Sequence, residues 1–152
     1  MTEPRWMMIE RPLMALWVGG LCVVGYLVAP VLFATLTDER QLAGMLAGKM
    51  FSAISWAGLV IGTVLFVGSV ISAGSQWLRQ WRCWALTIML LVVVLMLFVI
   101  QPMMADLKAQ GAIVKGTELA AAFGKLHGIS SGLYLLLSVL GLTLVTVGLR
   151  RA

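Results

Sequence analysis

Four long stretches of this chain carry no charged residue. They lie between Arg11 and Asp38, between Lys49 and Arg79, between Arg82 and Asp106, and, His127 aside, between Lys125 and Arg150. About 20 apolar residues in a helix cross the hydrocarbon of a bilayer, so each gap is long enough to span one. Lipid offers no water to backbone amides, and a spanning segment must pair them internally. None of the four follows the two-residue alternation of a barrel strand, so each reads as a helix. With 61% of its residues hydrophobic and only 11% charged, a soluble domain of this size could not cover itself with polar groups. The fold class is therefore all-α: an integral membrane antiparallel four-helix bundle. One transmembrane domain covers residues 1–152, with helices at about 13–36, 49–75, 83–102 and 117–149.

The charges sit at the ends of these spans. Arg5, Arg11, Arg79, Arg82, Arg150 and Arg151 share one side, and Arg40, Lys49, Lys108, Lys115 and Lys125 share the other. Single basic residues at helix ends snorkel to headgroups, so the net charge of +5 does not point to nucleic acid. The excess of arginines, mixed with Trp77, Trp81 and Trp84 as an interfacial belt, places both termini in the cytoplasm of an inner-membrane protein. The first apolar run is too long for a signal-peptide core, which makes it an uncleaved first helix after a short amphipathic lead, Met1–Pro12.

Punctuation within the chain follows from local chemistry. Pro30 should kink the first helix or end it early, and Gln101-Pro102 should end the third. A polar loop then runs over Asp106–Gly116. Thr37-Asp38-Glu39 reads as an N-cap with acids in a first turn, leading into a short helix over Glu39–Lys49, and Thr117-Glu118 caps the lead-in to the last helix. Gly19, Gly20 and Gly25 allow close backbone approach. Gly44/Gly48 and Gly58/Gly62 have the four-residue spacing of helix contacts.

The two halves resemble each other. Pro30-Val31-Leu32 answers Pro102-Met103-Met104, Gly48-Lys49-Met50-Phe51 answers Gly124-Lys125-Leu126-His127, and Ser55 answers Ser131 at the same distance from its lysine. Two tandem helix hairpins in the same orientation imply a pseudo-two-fold axis along the membrane normal.

At about 100° per residue, Gly124, His127, Gly128, Ser131, Leu135 and Ser138 fall on one stripe of the last helix, with Tyr134 at its edge. The matching stripe on the second helix is Gly48, Phe51, Ser55, Leu59 and Gly62. Polar groups facing lipid would lose their partners, so both stripes should face other helices and line a seam or cavity. The candidate solute-binding residues are His127, Ser131, Tyr134 and Ser55, with Lys49 and Lys125 flanking an entrance. An alternative makes His127 a metal ligand beside Met103 and Met104, since thioethers with one imidazole suit Cu(I). Haem would need a methionine as its second axial ligand. Against these stand the bland readings: methionine as core filler, lysine as helix anchor, and a histidine bonded to a carbonyl. Cys22 and Cys83 fall at different depths and do not form a disulfide pair. No acid or base lies deep in a span, and no nucleophile–histidine–acid set, CxxC, HExxH or phosphate-cradling loop is present. The chain does not read as an enzyme, and no cofactor is expected.

Ala29-Pro30-Val31-Leu32-Phe33, Lys49-Met50-Phe51, Gln101-Pro102-Met103 and Phe123-Gly124-Lys125-Leu126-His127-Gly128-Ile129-Ser130 resemble the bacterial relatives of eukaryotic transmembrane protein 205. That resemblance implies a four-helix membrane protein with a role in drug or metal resistance, and it supplies no catalytic residues. Three functions remain open. The first is a transporter or resistance component for a small solute or metal ion, working as a homo-oligomer or with a partner membrane protein. The others are a haem- or copper-binding protein centred on His127, and a structural subunit of a larger membrane complex.

Overall fold

The structure, a computed structural model, describes residues 3–111, 113–114 and 116–148, with side chains from 8 to 147. The elements are α1 (Glu3–Val23), a π-helical turn (Val24–Val28), α2 (Ala29–Thr35), α3 (Arg40–Ala73), a 3-10 turn (Gly74–Arg79), α4 (Trp81–Leu95), a second π-helical turn (Met96–Ile100), α5 (Gln101–Ala109) and α6 (Glu118–Gly148). Among the described residues there is no strand. Among the described residues, four helical stretches are long and apolar enough to cross a membrane: Met8–Thr35, Arg40–Arg79, Trp81–Ala109 and Glu118–Val147. The first span packs on the second, the second on the third, the third on the fourth, and the fourth on the first.

The prolines act differently from expectation. Neither Pro30 nor Pro102 ends its span. Each sits in the first turn of the helix that follows a π-helical turn. A proline has no N–H to donate and its ring would strike the carbonyl four residues back. Widening the turn before it carries that carbonyl away. The Ala29 N–H bonds the Val24 carbonyl and the Gln101 N–H bonds the Met96 carbonyl, each five residues back. The first span therefore continues to Thr35 and the third to Ala109, so the loop that was expected to open at Asp106 begins after the helix ends.

The second span also differs at its start. It is one continuous helix from Arg40 to Ala73, with Glu39 at the N-cap position, no side-chain cap and no acid in its first turn. The cap at the fourth span is as expected. Thr117 Oγ1 accepts the Ala120 N–H at 3.2 Å, and Glu118 lies in the first turn of α6.

The interior is filled by large side chains. Trp17, Leu21, Leu65, Leu86, Met89 and Leu144 are all fully buried. Lipid tails are as apolar as these residues, so the gain on packing comes from close contact and not from escape from water. Glycines set how close the helices come. The Trp17 indole lies against Gly58 and Gly62. A Cβ on Gly62 would sit 2.8 Å from the Trp17 ring and 2.9 Å from Leu90. Gly141 leaves the same room for Val18, at 2.8 Å. Gly20 faces Ile54 and Gly25 faces Tyr134, but nothing approaches Gly19 within 4 Å.

At the arginine end, Glu10 is buried and pairs with Arg82, which ties the first span to the third. At the lysine end, Lys108 donates to the Gly44 carbonyl at 3.3 Å and lies 5.6 Å from the centre of the Phe123 ring. That places one ammonium against the second, third and fourth spans together. Cys22 and Cys83 are both free thiols.

Candidate functional site

The polar groups inside the bundle centre on Tyr134. Its hydroxyl donates to the Leu21 carbonyl at 2.6 Å, on the backbone of the first span just before its π-helical turn. Only glycine fits at position 25, because a Cβ there would collide with the Tyr134 ring. Phe51 and Tyr26 hold that ring edge-on, at 5.0 Å and 6.3 Å between centres. Ser55 is buried one turn beyond Phe51 and donates to the Phe51 carbonyl at 2.7 Å. Tyr134 and Ser55 therefore belong to the interior.

His127 and Ser131 do not. Both are exposed on the outer surface of α6, as are Gly124, Gly128, Gly132 and Leu135. No side chain of the bundle comes within 4 Å of a Cβ built on any of the three glycines. Of the expected inward stripe, Ser138 and, at its edge, Tyr134 face the bundle, joined by Ser130, while Gly124, His127, Gly128, Ser131 and Leu135 face out. Ser130 reaches Met96 of the third span at 3.7 Å, and Ser138 donates to the Tyr134 carbonyl at 2.9 Å. Ser131 satisfies itself on the His127 carbonyl at 2.9 Å, so facing outward leaves its hydroxyl paired. The His127 ring lies parallel to Phe123, 6.1 Å away. The two serines matched by the internal repeat thus have opposite environments, Ser55 buried and Ser131 exposed.

Lys49 and Lys125 are exposed at the lysine end. Met103 is half exposed, while Met104 packs partly against the core. Among the described residues, no three His, Cys, Asp or Glu side chains are grouped to hold a metal ion.

Two participants, Glu10 and Lys108, and one pairing, Tyr134 with Gly25, have no signal of their own in the sequence. Glu10 carried no signal beyond its place among arginines. Lys108 was one basic residue of several. The fit of Tyr134 to Gly25 joins residues 109 positions apart, and no local pattern announces which aromatic fills a gap on another helix.

A family of domains of unknown function, DUF4149, matches residues 13–113, from the first span to just beyond the third. No curated protein and no solved structure matches the chain. His127 and Tyr134 lie outside the matched region, whereas Gly25, Phe51 and Ser55 lie within it. The match covers well over half of the sequence, and the chain, with its four membrane-length helices among the described residues, belongs to the DUF4149 family of domains of unknown function.

Proposed function

We propose that this protein is an inner-membrane transporter or resistance component for a small solute or metal ion, and that its route lies between copies of the chain. The observation that carries the reading is a small and polar face left exposed on the fourth span, outside a core packed by large side chains. The bundle interior is filled by Trp17, Leu21, Leu65, Leu86 and Met89. The small and polar face Gly124, His127, Gly128, Ser131 points away from it. An ionisable side chain within a span is costly against lipid and marks function by default. The resemblance to relatives of transmembrane protein 205 supports the resistance role. In this reading the spans form an antiparallel bundle of two tandem hairpins with both termini cytoplasmic. The paired π-helical turns before Pro30 and Pro102 support the pseudo-two-fold relation.

The test is a pair of variants in native membranes. In a chain lacking Cys22 and Cys83, Gly128→Cys should cross-link copies on oxidation. His127→Ala should lower solute movement or resistance while the cross-link still forms. Loss of neither property, or no cross-link at any protein density, overturns the proposal. Full assembly with unchanged transport would favour the structural-subunit reading.

A further inference from the structure

The outer surface between the first two spans carries a shallow groove that neither the Tyr134 seam nor the His127 face uses. It is lined by Val24, Lys49, Met50, Ala53, Ile54 and Ala57. Its origin is local. Ala53 and Ala57 are the small outward residues of α3, set beside Met50 and Ile54. Ile54 in turn folds over Gly20, its Cδ1 only 2.6 Å from where a Cβ would stand, which brings α1 and α3 together behind the groove.

The lining has one polar member, Lys49, at one end. From Lys49 to Ala57 the groove follows α3 for about 12 Å at 1.5 Å per residue. Lys49 is also the last charge before the uncharged run to Arg79. A lysine there keeps its stem against apolar surface and its ammonium at headgroup depth. Among the described residues the one ion pair is Arg82 with Glu10, so the Lys49 ammonium is left without a carboxylate. An apolar track that opens to lipid and ends on a cation at headgroup level matches one acyl chain bearing an anionic head.

We propose that this groove binds an anionic phospholipid, with an acyl chain along Ala53, Ile54 and Ala57 and the phosphate on Lys49. A free phosphate would gain nothing from the apolar track, and a zwitterionic lipid carries its own cation beside the phosphate. The site goes beyond the permeation role and does not depend on it.

Native mass spectrometry of the purified full-length protein, with phosphatidylglycerol or phosphatidylcholine added, tests the proposal. Wild type should hold one phosphatidylglycerol in preference to phosphatidylcholine. Lys49→Gln should weaken that adduct about five-fold, the worth of one basic residue at a lipid surface. Ala53→Phe fills the groove and should remove the adduct. Arg79→Gln makes the same charge change at the other end of the span and should leave it. All three positions are exposed, so these variants keep the packed interior. Equal binding of the two lipids, equal losses in Lys49→Gln and Arg79→Gln, or an adduct that survives Ala53→Phe would each overturn the site.

Discussion

The hydroxyl of Tyr134 in the fourth span bonds the carbonyl of Leu21 in the first, and the ring can reach it only because residue 25 has no side chain. Two changes test this relation. Tyr134→Phe should cost about 0.6 kcal/mol, the average for hydrogen bonds between membrane helices, and at most about 1.7 kcal/mol. Gly25→Ala should cost more, because the added methyl displaces the ring. Paired with Tyr134→Ala, Gly25→Ala should lose most of its effect. Thermal unfolding of the single and double variants in detergent measures the coupling, and strictly additive losses would show that the two positions act apart.

Glu10 and Arg82 join the first and third spans, with side-chain exposures of 10% and 28%. Glu10→Ala should destabilise by about 1–3 kcal/mol, less than a fully buried pair because water reaches the arginine. Replacing both by leucine should recover most of that loss, since no charge is then left without its partner. A double variant as unstable as Glu10→Ala would mean that the pair does more than neutralise itself.

Helix contact at Gly62 and its lack at Gly19 predict opposite outcomes for one substitution. Gly62→Ala meets Trp17 and Leu90 and should cost about 1–3 kcal/mol by overpacking. Gly19→Ala meets nothing and should be neutral or stabilising by up to about 1 kcal/mol through helix propensity. Comparing the unfolding temperatures of the two variants decides the matter.

Protein purified from native membranes should be colourless and hold no stoichiometric copper or iron. Absorbance with elemental analysis checks this. A Soret band, or near-stoichiometric copper lost in His127→Ala, would move the protein to the haem- or copper-binding class.

Thr37-Asp38-Glu39 and Pro102 show where local signals misled. The first looks like a cap, yet α3 begins at Arg40 without a side-chain cap. A helix anchored by packing along its length has little need of one. Pro102 looks like a stop, yet a π-helical turn absorbs it and the span runs on to Ala109.

The sequence by itself determined the number of spans and their helical nature. Those follow from one rule: charge and unpaired backbone are costly in hydrocarbon. Only the tertiary structure decided which face of each helix turns inward. Both neighbours of a membrane helix, lipid and protein, are apolar, so hydrophobic periodicity cannot tell them apart. Ser130 and Ser131 are adjacent and chemically identical, yet one meets Met96 inside the bundle and the other faces out. Shape made that choice, through Gly25, Gly58, Gly62 and Gly141 and the large side chains that fill the space they leave.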